Sequence, residues 1–276
     1  MKPFLPLLAL LLSCAAAHAQ DSVDFKVHVL PHTQYAQVSD ESYETRVDFD
    51  SSSQAVLDRL KAQGQNAGLP VIQTSHTESV LSVGGLDNSG HMPIMVVINK
   101  ATGSDSSLAG LRGFGQSLDG SIDHFDSIQA DVTDTAVRAL LLKTMNKMFA
   151  QISNPTFRVG RGGSYTQVLP MHLPMGGTTL DLNLNMRYTL QSLEGDLAHF
   201  SLLITIGMAV TGDSVAIPFL AGGEGSGSLD YDRRQNYIHG TQTRFAFAIN
   251  IHKQDLYIHI RVRVAQSNAA QASPAS

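Results

Sequence analysis

The chain has 276 residues, of which 43% are hydrophobic and 16% charged, and its formal net charge is −5 at pH 7. This length is sufficient to bury a sizeable core, and the acidic balance argues against nucleic acid as a general partner. The sequence holds one cysteine, Cys14, which excludes an internal disulfide and a cysteine-based metal site.

The first residues follow the pattern of a secretory signal peptide over 1–19. Lys2 supplies a basic start, residues 4–12 are apolar, and Ala17-His18-Ala19 has the small-residue pattern of a cleavage site. The apolar stretch is too short to span a bilayer, so we expect cleavage after Ala19 and a periplasmic or secreted mature chain. We predict no transmembrane helix in that mature chain.

Cys14 supports an alternative interpretation of the same segment. Residues 11–14, Leu-Leu-Ser-Cys, resemble a lipobox, in which the cysteine is lipidated and the protein is tethered to a membrane. Leu12 stands where a small residue is usual. Removal of Cys14 with the signal peptide is therefore the preferred prediction.

Alternating hydrophobicity dominates the first half of the mature chain. Period-two patterns rich in β-branched and aromatic residues predict strands over residues 23–29, 43–49, 71–83 and 92–98. The last two are separated by a turn-rich segment at 84–90. Residues 54–63 have helical spacing, and Gly64 follows where a helix often ends, which predicts a short helix.

A longer amphipathic helix is predicted over 133–152. Thr133 can cap its start, and Asn154-Pro155 ends it. Its apolar stripe indicates packing on a sheet. The stripe consists of Val137, Leu140, Leu141, Met145, Met148 and Ile152.

This helix separates two strand-rich halves, residues 22–131 and 156–265, of one domain over 20–265. A Gly-rich segment that leads into Ser-Leu-Asp occurs at 113–119 and again at 225–230. The repeat suggests two similar halves, although recurrent turn chemistry explains it equally well. Residues 266–276 are mostly small and polar without periodicity, which predicts a disordered tail.

The second half predicts a hairpin of 180–190 with 200–208, because a loop at 194–196 keeps both apolar sets on one face. Together the patterns predict a mainly β (α+β) fold. The expected architecture is a strongly curved antiparallel sheet or half-barrel, with the helix over 133–152 packed on it. A sandwich of two sheets is the alternative.

The last hairpin defines the predicted ligand site. A four-residue loop over 252–255 pairs Ile251 with Leu256 and puts the apolar side chains on one face. The other face is basic, with Arg244 directly opposite Arg263, and like charges in that position need compensation. An anion such as a lipid headgroup or a sugar acid would compensate the two positive charges, and acidic neighbours on another strand are the alternative. The predicted anion-binding residues are Arg244, His259, Arg261 and Arg263.

No catalytic residue, metal site or cofactor is predicted. The glycine clusters at 160–163 and 221–227 lack a following helix pattern, so they are predicted to be turns or bulges rather than phosphate loops. The sequence has no G-x-S-x-G motif and no H-x-H or H-E-x-x-H pattern. The carboxylate pairs 48/50 and 230/232 are interpreted as solvated residues rather than as a calcium site.

The layout resembles bacterial envelope proteins with a strongly curved antiparallel sheet and a helix packed across it, such as lipoprotein-carrier folds. It is also similar to an uncharacterised family of exported β-rich envelope proteins. The residues that carry this likeness are Tyr188 in a late hairpin and Gly223, Gly225 and Gly227 before Asp230. The resemblance is architectural, covers residues 22–265 and implies no catalytic motif.

These observations favour a non-catalytic exported protein that binds an apolar or amphiphilic ligand. One-faced strands and a helix with the adaptable side chains of Met145 and Met148 can line a cavity. The alternative is a structural or interaction protein of the cell envelope that binds an envelope protein. A secreted hydrolase is less favoured because no motif supports it. An outer-membrane barrel is less favoured because the chain has no tryptophan and 7% aromatic residues for the interface girdles.

Overall fold

A computed structural model describes residues 22–63, 68–129, 135, 138–139, 141–143, 146, 156–175, 178–208, 219–253 and 255–275. Most of these residues lie in strands. The strands are β1 (Ser22–Phe25), β2 (Thr33–Ser51), β3 (Val71–Val83), β4 (His91–Gly103), β5 (Arg112–Leu118), β6 (Ser121–Gln129), β7 (Phe157–Gly160), β8 (Ser164–Met175), β9 (Thr178–Glu194), β10 (Leu197–Met208), β11 (Phe219–Asp232), β12 (Tyr237–Lys253) and β13 (Leu256–Pro274). Helix α1 (Gln54–Ala62) follows β2, and a 3-10 turn (Ser106–Leu108) follows β4.

One antiparallel sheet contains 11 of these strands, in the order β6-β5-β4-β3-β2-β13-β12-β11-β10-β9-β8. Two meanders, β2–β6 and β8–β13, meet where β2 and β13 pair along their whole lengths. The order is linear, so the sheet of described strands is open, with β6 and β8 at its ends. β1 and β7 form a separate two-stranded sheet. The prediction of a mainly β fold with a large antiparallel sheet is confirmed.

The central strands have an apolar face and a polar face. Phe247 of β12 lies opposite Val262 of β13 on the apolar face, whereas Gln242 lies opposite Ser267 on the polar face. Alternation along each strand extends both faces, because successive side chains of a strand point to opposite sides. The two faces are referred to by these names below.

An aromatic cluster attaches the two-stranded sheet to the apolar face. The rings of Phe25 and Phe157 stack with centroids 4.7 Å apart, and the Tyr231 ring lies 4.5 Å from Phe25. All three side chains are buried. The Tyr231 hydroxyl donates to the carbonyl of Lys26 at 2.9 Å. Burial of these rings and their stacking together hold β1 and β7 against the main sheet.

The glycine cluster at 221–227 lies inside strand β11, so its prediction as a turn or bulge is wrong. A Cβ at Gly225 would lie 2.2 Å from the Cβ of Phe245, and one at Gly223 would lie 2.5 Å from that of Phe247. These glycines are therefore needed on the apolar face because the aromatic side chains of β12 occupy the space. The other predicted glycine turn is confirmed, since residues 161–162 form the turn between β7 and β8.

The predicted disordered tail over 266–276 is also wrong, because β13 continues to Pro274. Residues 266–274 pair with the first part of β2, and residues 266–269 pair with β12 on the other side. Side chains on both faces are small or polar, and the inward-facing Ala270 and Ala272 give too weak an apolar signal to show the period of two in the sequence. The backbone hydrogen bonds of two long neighbours supply the stability that this composition does not indicate.

The two predicted hairpins have different outcomes. The pairing of 180–190 with 200–208 is confirmed, with Leu190 opposite Phe200. In the last hairpin Ile251 pairs with Ile258 rather than with Leu256, so the predicted register is wrong by two residues. A shift of two keeps every side chain on its face, and the apolar pattern therefore cannot distinguish the two registers.

Helix α1 confirms the short helix predicted over 54–63. The long helix predicted over 133–152 falls mostly outside the described residues, and as a continuous element it stays a prediction. Its described residues are helical: Thr135, Arg138, Ala139, Leu141, Leu142, Lys143 and Asn146. Leu142 packs against the apolar core. The Asn146 side chain accepts a hydrogen bond from the Phe125 N–H at 2.7 Å and donates to its carbonyl at 2.9 Å.

The predicted signal peptide over 1–19, with Cys14, lies outside the described residues. None of the helices within the described ranges is long and apolar enough to cross a membrane.

Candidate functional site

A cavity of about 890 Å³ opens on the polar face across the middle of the main sheet. Six of its lining residues stand directly opposite one another on six neighbouring strands, from β4 to β11. We call this set the polar row. It consists of Thr102, His76, Asp40, Ser267, Gln242 and Ser228.

The polar row arises from register rather than from any local motif. Asp40 lies on β2 between His76 of β3 and Ser267 of β13, although these residues are far apart in the chain. Each belongs to the polar set of its own strand, and the long antiparallel pairings align the sets. Neighbouring strands are about 4.8 Å apart, so the row spans roughly 24 Å.

One end of the cavity is acidic and centred on His76. The imidazole Nδ1 lies 2.8 Å from an Asp40 oxygen, and Nε2 lies 3.1 Å from an oxygen of Glu78. The hydrogen bonds to Asp40 and Glu78 raise the pKa of His76. Lys100, 2.8 Å from Glu78, and His76 lower the pKa of the Glu78 carboxyl.

We expect His76 to titrate above the ordinary histidine pKa. Because its pKa is raised in the folded protein, protonated His76 stabilises the fold at acidic pH, and this contribution is lost as the pH rises through the folded pKa. NMR titration of the histidine ring signals measures the value directly. Asp40→Asn should lower the pKa of His76 and leave that of His124, which is paired with Asp123 and Asp126, unchanged.

A His76 pKa at or below the ordinary value in the wild-type protein would contradict this arrangement. Equal movement of His76 and His124 in the Asp40→Asn variant would also contradict it, since the two histidines have separate carboxylate partners.

All four predicted anion-binding residues lie on the polar face, but their surroundings differ. Two of the arginines have carboxylate partners: Arg261 lies 3.1 Å from Asp48, and Arg263 lies 3.3 Å from Glu44. Acidic neighbours, the alternative raised by the sequence, therefore neutralise these two. His259 is the one histidine of this predicted set, and its Nδ1 lies 2.7 Å from the side-chain oxygen of Asn250.

Arg244 differs from the other two arginines. It is exposed and stands between Ala265 of β13 and Ser226 of β11, so its predicted position opposite Arg263 is wrong. The two-residue change in hairpin register causes this difference. Among the described residues, no carboxylate lies within ion-pair distance of its guanidinium.

A second cavity, of about 690 Å³, adjoins the first on the polar face. Its apolar part includes Leu203, which is 49% exposed, and Ala246. The two cavities share Ser42, Ser226, Arg244 and Ala265. Arg244 therefore lies where a hydroxyl-rich surface meets an apolar one.

Most of this site was not predicted from the sequence. Asp40, His76 and Gln242 occupy polar positions of alternating strands, a signal shared by many solvated residues. Only the register between strands shows that they line one cavity with Arg244. Within the described ranges, no group of three or more His, Cys, Asp or Glu side chains is placed to hold a metal ion.

No family model matches the chain, and no curated protein matches it. Among solved structures, the chain is similar to a chain in the single-particle cryoEM structure of the V. cholerae type IV competence pilus secretin PilQ, with 8% sequence identity and a TM-score of 0.15. The match covers 87% of this chain and 60% of the secretin chain. A TM-score this low defines no shared fold.

Proposed function

We propose that this chain is a non-catalytic exported protein that binds an anionic amphiphile on its polar face. The observation that carries the proposal is the position of Arg244 on the boundary shared by the two cavities. The N-terminal pattern favours export to the periplasm or the exterior, where envelope lipids are accessible.

The anionic group of the ligand binds at Arg244 in this proposal. A guanidinium offers several donors in a planar fork and forms strong charge-assisted hydrogen bonds with phosphate or carboxylate oxygens. Ser226 lies directly opposite Arg244 and lines both cavities, so its hydroxyl can donate to the same anion. The other two arginines already have carboxylate partners and are less suited to the role.

The apolar part of the ligand covers the second cavity. Leu203 is a large apolar side chain exposed on the polar face, and Ala246 and Ala265 add apolar surface beside it. Covering this surface is favourable in proportion to the apolar area removed from water. Leu142 packs against the apolar core, on the side of the sheet opposite to the proposed ligand.

Arg244→Ala is expected to weaken binding to vesicles of phosphatidylcholine and phosphatidylmethanol by about tenfold or more, because a hydrogen-bonded charge is lost. Co-sedimentation measures the bound fraction. The matched control is Arg261→Ala, which removes the same charge from the same face outside both cavities. That control separates a defined site from general attraction of a basic face to an anionic surface.

Equal losses in Arg244→Ala and Arg261→Ala would contradict a site at Arg244. An absence of wild-type binding to the anionic vesicles would contradict the proposed function itself. Soluble dimethyl phosphate carries the anion without the acyl chains, and we expect it to compete poorly. Strong competition by dimethyl phosphate would show that the site binds free anions rather than amphiphiles.

A further inference from the structure

The polar row provides a second type of recognition beside Arg244. Its hydroxyl, imidazole, amide and carboxylate groups supply both donors and acceptors. A simple phosphate monoanion between Arg244 and Ser226 leaves most of this row without a contact. The row therefore matches a ligand that has many hydrogen-bonding groups beyond its anion.

The charges in the cavity restrict what those groups are. Arg244 and Asp40 lie on β12 and β2, with β13 between them, so the cationic and acidic positions are two strands apart. A second anionic group near Asp40 would be repelled, whereas a hydroxyl can donate to its carboxylate. The arrangement suits one negative charge followed by neutral hydroxyl groups.

Hydroxyl side chains extend the line of the polar row beyond the cavity. Beyond Ser228 of β11, the directly opposed residues on the next three strands also carry hydroxyls. They are Ser201 of β10, Thr189 of β9 and Ser164 of β8. No apolar side chain interrupts this line across the sheet. A polyhydroxylated group that extends across the strands would meet polar partners at each step.

From this arrangement we infer that the headgroup of the ligand is a polyol or sugar that carries one negative charge. The inference rests on the proposed function and names its substrate class. In this arrangement the anion binds Arg244, the acyl chains cover Leu203, and the hydroxyl groups bind the polar row through residues such as Gln242 and Ser228.

The test compares two lipids at equal mole fraction in phosphatidylcholine vesicles. Phosphatidylinositol carries a cyclic polyol, whereas phosphatidylmethanol carries the same single charge without it. We expect the wild-type protein to bind the phosphatidylinositol vesicles about tenfold more tightly, because several additional hydrogen bonds form. The double variant Gln242→Ala, Ser228→Ala should lose this preference and bind the two lipids with equal affinity.

The outcomes separate the two proposals. Equal binding of both lipids by the wild-type protein, with the loss in Arg244→Ala retained, would overturn the polyol inference and leave the proposed function standing. Binding of neither lipid would overturn both proposals. Because the lipid comparison uses the wild-type protein, the inference stays testable even if the double variant fails to fold.

Discussion

Phe25→Ala is expected to lower the free energy of unfolding by about 3–5 kcal/mol. The Phe25 side chain is 1% exposed and stacks on Phe157 at 4.7 Å. It also meets Phe200 edge-on, with ring centroids 5.7 Å apart. Truncation leaves a cavity between the two sheets and removes the main aromatic contacts of β1.

Urea-induced unfolding followed by circular dichroism measures this change. Leu86→Ala is the control, because Leu86 is an apolar side chain that is 59% exposed. We expect the control to change the free energy of unfolding by no more than about 0.5 kcal/mol. Similar losses in both variants would contradict the assignment of the aromatic cluster as the attachment of the two-stranded sheet.

Gly225→Ala is expected to lower the free energy of unfolding by about 1–3 kcal/mol through overpacking. The added Cβ would lie 2.2 Å from the Cβ of Phe245 and 2.5 Å from the carbonyl oxygen of Arg244. Both neighbours belong to a central strand and cannot move without disturbing its pairing. The close approach of β11 to β12 therefore depends on this glycine.

Gly222→Ala is the matched control in the same strand. Its added Cβ meets only the carbonyl oxygen of Ile206, at 3.7 Å, which is an ordinary contact distance. We expect it to be neutral or slightly stabilising, because alanine reduces the conformational freedom of the unfolded chain. Equal destabilisation by both substitutions would show that β11 disfavours alanine at either position for a reason other than the contact with Phe245.

Period-two patterns were sufficient to locate many of the strands. β3 begins and ends where the pattern predicts, at Val71 and Val83, because β-branched residues and flanking turn residues mark both ends. Helix α1 was likewise predicted within one residue at its end. These elements carry their signals locally.

Features that depend on pairing could not be predicted in this way. Residues 266–274 form a strand because β2 lies beside them, and the glycines of β11 lie in a strand because β12 packs so closely. A hairpin register differing by two residues leaves each face unchanged, so the sequence could not place Arg244 opposite Ala265 rather than Arg263.

The candidate site contains one feature that the sequence predicts and one that depends on strand pairing. The basic face of the last hairpin was predicted, and the structure distinguishes its members by their partners: Arg261 and Arg263 have carboxylates nearby, whereas Arg244 lines both cavities. The polar row was not predicted, because it unites residues from strands that are distant in the chain. Its alignment depends on five successive strand pairings.

The central claim is that the polar face holds an anionic amphiphile at Arg244. Native mass spectrometry of the protein purified from the envelope of the cells that make it tests this claim most directly, with the released ligand identified. We predict a stoichiometric complex of the wild-type protein with an anionic amphiphile, and a much smaller bound fraction for Arg244→Ala. A wild-type protein that carries no amphiphile, or one whose ligand is retained equally by Arg244→Ala, would contradict the claim.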